Sequence, residues 1–303
     1  MSTHVKSSSI KTVNPFTNQV VKEFDAMTSE QVAARIDKAD QAFKTWKTTS
    51  FADRGAIMHK VASIMRERKE ELGKLATLEM GKLIAESIYE VELSADIFDY
   101  YADHAEKFLA DHPLEVQHGD AFLSYEPIGV ILSVQPWNFP YYQITRSAAA
   151  HVMAGNTMVL KHASNVPQCA QLMEDIFKEA GLPEGVYTNL FVAGKDIEPI
   201  VSNPKIKGVT LTGSKPAGAS IASAAGAQVK KSTLELGGSD PFIVLEDADI
   251  QQAVEVAVAG RMWNAGQVCV SPKRVIVPAS KYAEFLAKTK EAFTKLKIGD
   301  PMD

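Results

Sequence analysis

From Ile128 to Ala225 the chain alternates short, continuously apolar runs with helical patterns, and this alternation restricts the fold more than any other feature. Gly129-Val130-Ile131-Leu132-Ser133-Val134 is apolar almost throughout, as expected of a strand covered on both faces. Thr157 to Lys161 repeats that texture and precedes a helical pattern from Pro167 to Ala180 that stops at Gly181. Tyr187 to Val192, a short helix near Ile197 to Ser202, Gly208 to Leu211 and a small-residue helix over Ala217 to Ala225 continue the rhythm. Strand and helix in strict alternation predict an α/β fold built on a doubly wound parallel sheet.

The segments on either side differ. A polar start leads to Thr28 and Gln31, which have the spacing of a capping box, and Val32, Ile36, Ala39, Ala42 and Phe43 then recur at helical intervals. Two further helices are expected over Ala52 to Leu78 and Leu83 to Leu109, ended by His112-Pro113. Phe122 to Pro127 reads as a strand, either in the sheet or as the arm of a hairpin. Past Gly238 the pattern gives strand Phe242 to Leu245, helix Ile250 to Met262, strand Arg274 to Val277 and helix Lys281 to Lys297. The expected division is one domain over 1–238 and the start of a second α/β domain over 239–303. A unit of about 65 residues with so few strands is marginal alone, so the end reads as an interruption.

Composition removes several function classes. With 303 residues, 46% hydrophobic and 23% charged, the chain is an ordinary globular protein large enough for two domains. A net charge of −5 offers no general attraction to nucleic acid or to an anionic membrane. Met1 to Ile10 lacks the apolar core of a signal peptide, and no apolar stretch reaches membrane-spanning length. The 2 cysteines, Cys169 and Cys269, are too few for a disulfide framework or a zinc cluster. No metal is expected, and a cytoplasmic location is the simplest reading.

Five segments carry chemistry, each with a plain structural alternative. Gly213-Ser214-Lys215-Pro216-Ala217-Gly218 follows a strand and opens a helix, where glycines admit a phosphate and the helix N-terminus favours an anion. It is not GxGxxG, and on local evidence alone an ordinary glycine-rich turn is the favoured reading. Lys161 ends a strand, with Ser164 and Asn165 beyond it, placed to bond a ribose or its phosphate, or merely to cap the strand in solvent. Asn138, between Pro136 and Pro140, can donate to a developing oxyanion or satisfy its own turn. Glu235, flanked by Leu234 and Leu236, would gain a raised pKa and act as a general base if buried; the alternative is a surface strand acid. Cys269, in the small-residue turn Gly266-Gln267-Val268-Cys269-Val270-Ser271, is either a nucleophile or an inert thiol. Cys169, in an amphipathic helix, reads as structural.

In this order Pro136-Trp137-Asn138-Phe139-Pro140, Leu160-Lys161, Thr212-Gly213-Ser214, Leu234-Glu235-Leu236-Gly237-Gly238 and Gly266-Gln267-Val268-Cys269 resemble the aldehyde dehydrogenase superfamily. The likeness runs from Asn14-Pro15 to Gly299-Asp300-Pro301, and within the superfamily the chain is similar to bacterial succinate-semialdehyde dehydrogenases. The resemblance implies an atypical Rossmann cofactor domain over 1–238, with a hairpin arm for oligomerisation near 114–127. It implies an oxidoreductase that converts an aldehyde, succinate semialdehyde by this likeness, to the acid with NAD(P). Cys269 would form the thiohemiacetal and thioester, Asn138 would hold the oxyanion and Glu235 would activate water. Trp137, Lys161, Ser164, Gly213, Ser214 and Leu236 would line the cofactor site. Family members that prefer NAD often carry Glu where Ser164 stands; its replacement removes repulsion of a 2′-phosphate and points to NADP, with NAD the alternative. Arg146 matches an arginine that holds the distal carboxylate of the substrate, while Trp263 stands where a second arginine would fall.

The chain departs from the family in length. The part expected to follow Asp303 supplies a Glu-x-Phe-Gly-Pro segment, further catalytic-domain strands and the strand that completes the oligomerisation arm. The partner implied for a full-length member is another copy, as a dimer or tetramer. The alternative function is a catalytically impaired fragment that binds nucleotide or a partner subunit. Transfer of the acyl group to coenzyme A or phosphate is disfavoured by Glu235, because a positioned base suits hydrolysis.

Overall fold

The protein is described here by a computed structural model, over residues 9–303; most of the polar opening, residues 1–8, lies outside the described residues. The chain divides into two compact units, Met1–Glu235 and Leu236–Asp303.

The first unit opens with a hairpin of β1 (Ser9–Val13) and β2 (Val20–Asp25), paired antiparallel. Apolar periodicity does not reveal it, because only Ile10 and Thr12 of β1 are buried and one of these is polar. Helix α1 (Ser29–Trp46) starts at the expected capping box: Gln31 N–H donates to Thr28 Oγ1 at 3.3 Å, and Thr28 N–H donates to Gln31 Oε1 at 2.8 Å. The single helix expected over 52–78 is two, α2 (Phe51–Glu67) and α3 (Lys69–Met80), broken at Arg68 (φ −104°, ψ 15°). The apolar stripe runs on through the break, with Val61, Met65, Leu72 and Ala76 all buried, so periodicity alone cannot reveal it. The break is held by the Arg68 guanidinium, whose Nε and Nη2 donate to the two oxygens of Glu71 at 2.9 and 2.8 Å. Gly81, at φ +79°, closes α3 in the left-handed conformation that suits glycine. The long α4 (Ile84–Phe108) packs on α2 and α3. A short antiparallel ladder of β3 (His112–Leu114) and β4 (Ala121–Leu123) follows.

The central sheet comes next in the chain: β5 (Val130–Gln135), α5 (Pro140–Met153), β6 (Thr157–His162), α6 (Pro167–Glu179), β7 (Tyr187–Asn189), α7 (Ile197–Ser202), β8 (Ile206–Gly213), α8 (Lys215–Ala227) and β9 (Lys231–Leu236). Its five strands lie in the order β7-β6-β5-β8-β9. The pairs β5–β6, β6–β7 and β5–β8 are parallel, as the continuous apolar runs required. Alternate side chains serve two cores. Met158 and Leu160 pack with residues of α2 to α6, while Val130, Leu132 and Val159 pack with α1, α7 and α8. Covered on both faces, the strands have no polar side to display.

Strand order also locates a candidate site. From β5 the chain steps outward to β6 and β7, then returns across β5 to β8 and β9. By the rule for open α/β sheets, that reversal marks the carboxyl ends of β5 and β8 as the place for a ligand.

The second unit contains β10 (Pro241–Ile243), α9 (Ile250–Met262), β11 (Arg274–Ile276) and α10 (Ala279–Thr294), with β10 and β11 parallel. Asp249 caps α9 by accepting from Gln252 N–H at 2.9 Å. Its core is small: Val244, Ile250, Val254, Ala257, Val258 and Phe285. Among the described residues no helix is long and apolar enough to cross a membrane.

Candidate active site

Segments that sequence reasoning had singled out lie at the carboxyl ends of β5, β6, β8 and β9. Asn138 sits between β5 and α5, in a loop that leaves Trp137 exposed and buries Phe139. Pro140 is the first residue of α5 and has no N–H to satisfy. The next two amides, of Tyr141 and Tyr142, both donate to Oε1 of Glu90 at 2.8 and 2.9 Å. The other oxygen of Glu90 accepts from Lys82, and the two side chains are almost wholly buried. Burial pushes the Lys82 ammonium down, and Glu90 opposes that shift.

His162, the last residue of β6, ties the same loop to the sheet. Its Nε2 lies 2.9 Å from Pro140 O, and its Nδ1 lies 2.9 Å from Ala163 N and 3.2 Å from Gln135 O. With the proton on Nε2 the neutral ring donates to Pro140 O and accepts at Nδ1 from the Ala163 amide, the shorter of the two Nδ1 contacts. Burial lowers the His162 pKa to about 4, so the ring is neutral at physiological pH.

Lys161 precedes it, partly buried, and burial lowers its pKa as well. Ser164 follows in the exposed turn, with no carboxylate at that position. Helix α6 then starts at Pro167, and its free amides are taken by Glu79, whose carboxylate accepts from Gln168 N at 3.0 Å and Cys169 N at 2.9 Å, and from the Thr12 hydroxyl. Burial raises the Glu79 pKa against these hydrogen bonds.

Helix α8 differs from α5 and α6. It begins after Gly213, with Ser214 as its N-cap, and among the described residues its only side-chain cap is a long contact from Ala217 N to Ser214 Oγ at 3.4 Å. Two of the helices rising from this sheet end thus have a protein carboxylate on their N-terminal amides, whereas α8 has only a hydroxyl. An anion at this sheet end has α8 as its dipole-favoured position.

Glu235 lies on β9 with its side chain 55% exposed, so the burial expected from its leucine neighbours is absent. The surface-strand alternative describes its setting, because β9 is the last strand of the sheet order. Its carboxylate meets Arg146 of α5 at 3.2 Å. Leu236, next in the strand, is exposed.

In the second unit Cys269 is exposed in a turn. Asn264 and Ala265 before it have φ of 50° and 53°, and Gly266 has φ of 80°. Left-handed backbone at Ala265 costs about 1 kcal/mol or more, and neighbouring bonds hold it there. Arg261 Nη1 donates to Gly266 O at 3.2 Å and to Ser271 Oγ at 2.9 Å, while Ser271 Oγ donates to Gly260 O at 3.1 Å. Lys273 Nζ donates to Cys269 O at 2.6 Å, which brings a positive charge to the thiol's own residue. Trp263 is the residue that ends α9. Cys169, by contrast, is buried, and burial drives its pKa well up.

The first unit therefore gathers Trp137, Asn138, Lys161, Ser164, Gly213 and Ser214 at one end of its sheet, and pairs Arg146 with Glu235. The second unit presents Cys269 and Trp263. Sequence reasoning passed over Glu79, Lys82, Glu90, His162 and Lys273. A usable signal existed for the two acids: Glu79 continues the buried stripe of Leu72 and Ala76, and Glu90 that of Ser87 and Val91.

Residues 3–303 match the model of the aldehyde dehydrogenase family. A probable NADP+ succinate-semialdehyde dehydrogenase of Synechocystis sp. is 50% identical over 96% of this chain and 64% of its own length. An NADP+ succinate-semialdehyde dehydrogenase of Deinococcus radiodurans is 45% identical over 96% of this chain and 61% of its own. The crystal structure of succinic semialdehyde dehydrogenase from Streptococcus pyogenes in complex with NADP+ superposes with a TM-score of 0.95, at 45% identity, over 97% of this chain and 65% of that one. The chain thus spans somewhat under two thirds of the length of these relatives. Because the match extends over essentially every described residue, in sequence and in fold, the chain belongs to the aldehyde dehydrogenase family.

Proposed function

We propose that this chain carries the cofactor-binding and nucleophile-bearing parts of an NADP-dependent aldehyde dehydrogenase acting on succinate semialdehyde. The observation that supports it most is the gathering of Asn138, Lys161, Ser164 and the open N-terminus of α8 at one sheet end. The residues present fit a phosphorylated dinucleotide. Gly213 and Ser214 at the start of α8 would take the pyrophosphate, and Lys161 with Ser164 the phosphorylated ribose, where no carboxylate repels it. The relatives named for NADP+ support the same choice.

In this reading the Cys269 thiolate adds to the aldehyde carbon, and the new C–S bond leaves the carbonyl oxygen as an oxyanion. The Asn138 side-chain amide and the Cys269 backbone N–H donate to that oxygen. Arg146 holds the distal carboxylate and so orients the aldehyde. Bound NADP supplies the hydride acceptor that brings the carbon to the oxidation level of an acid. Glu235 then takes a proton from water as its oxygen attacks the thioester, and the thiolate leaves with the carbon–sulfur electrons. Trp263 would supply apolar surface beside the substrate. Cytoplasmic location and self-association through the β3–β4 hairpin belong to the same proposal.

The test is an assay of the chain with succinate semialdehyde and NADP, following absorbance of the reduced cofactor. Steady turnover is expected. A single burst would limit the proposal to acylation, and cofactor binding with no signal would overturn its catalytic part.

A further inference from the structure

Whatever fixes the first turn of α5 also fixes the loop that carries Asn138, since α5 begins only two residues later. Two groups from outside that loop do so. Glu90 Oε1 accepts from the amides of Tyr141 and Tyr142 at 2.8 and 2.9 Å. Lys82, bonded to the other oxygen of Glu90, sets its ammonium 3.8 Å from the centre of the Phe139 ring. Both side chains are buried, at 0% and 1% exposure. A buried ion pair stabilises a fold no better than apolar side chains of the same volume do. What this one adds is direction: an acceptor aimed at two named amides and a cation aimed at one ring face.

We infer that Glu90, held by Lys82, is a positioning residue for the Asn138 loop. The carboxylate fixes the start of α5, the ammonium fixes Phe139, and together they aim the Asn138 amide. The inference rests on the reading of Asn138 as oxyanion donor, so its test has one arm that needs no turnover.

Amide exchange of the full chain is measured by mass spectrometry for the wild type, Lys82→Met/Glu90→Leu and Glu90→Gln. In the double variant the Tyr141 and Tyr142 amides should exchange about tenfold faster or more, while β5 keeps its protection. Glu90→Gln, which retains an acceptor, should restore most of the difference. Unchanged exchange in the double variant, or equal loss in the glutamine variant, would overturn the inference. Should the double variant not fold, Lys82→Met alone should speed exchange at Trp137 to Phe139 and spare Tyr142; no change there would overturn it too.

The second arm is kinetic. The double variant should lose about 10- to 100-fold in kcat with KM within about threefold, and should cause less than about a twofold further loss in an Asn138→Ala background. Additive losses would mean that the pair acts on stability alone. If the wild type does not oxidise the aldehyde, the proposed activity fails, and the exchange arm still decides the positioning role.

Discussion

Arg146 of α5 and Glu235 of β9 meet at 3.2 Å, so the arginine proposed to hold the substrate's carboxylate already holds the acid proposed to activate water. The arginine side chain is 32% exposed and that of the acid 55%, and an exposed pair of this kind contributes about 0–1 kcal/mol. A carboxylated aldehyde can therefore displace Glu235 from Arg146 at little cost. Arg146→Ala should leave the melting temperature nearly unchanged. It should raise KM for succinate semialdehyde by about 10- to 100-fold, the worth of one charge-assisted hydrogen bond pair, and much less for an uncharged aldehyde. Equal effects on the two aldehydes would remove Arg146 from the substrate.

Ser164 is where cofactor choice should be decided. Ser164→Glu places a carboxylate where the 2′-phosphate is proposed to sit, and two like charges at close range disfavour each other. The variant should lose about 10-fold or more in kcat/KM with NADP while retaining its value with NAD. A wild type that prefers NAD strongly would defeat the assignment before the variant is made.

The 2 cysteines should separate cleanly under a thiol reagent. Cys269 is exposed and Cys169 buried, so the native chain should release one equivalent of chromophore from a disulfide reagent, and the chain in denaturant two. Cys269→Ser should abolish the native reaction. Prompt modification of Cys169 in the native chain would contradict its place in the core.

His162 should impose a pH dependence on stability. Its pKa falls from 6.5 in the unfolded chain to about 4 in the folded one, so between those values the unfolded state binds more protons. The contribution is full above pH 6.5 and is lost as pH falls towards 4, an effect of about 3 kcal/mol. His162→Gln keeps a donor for Pro140 O and cannot titrate. Urea unfolding across this range should show the wild type weakening relative to the glutamine variant as pH falls; parallel curves would mean that the buried ring is not the titrating group.

The α/β alternation, the capping box at Thr28 and the turns that end β5, β6 and β8 were legible because each is written in neighbouring residues: period, cap spacing, a run of glycines. The β1–β2 hairpin and the break at Arg68 were not, because one hides its burial in a polar residue and the other leaves the apolar stripe intact. Glu235 shows a different limit. Its leucine neighbours suggested burial, but flanking residues in a strand point to the opposite face, and what covers a strand is decided by its place in the sheet. By itself the sequence determined that parallel strands would carry Asn138, Lys161 and Gly213 at their carboxyl ends, since apolar period and turn chemistry are local properties. Only the tertiary structure decided that Glu90 and Glu79 fill the N-termini of α5 and α6 while α8 stays open, and that Arg146 meets Glu235. Those contacts join residues dozens of positions apart, and a buried charge finds its partner only when the chain has folded around it.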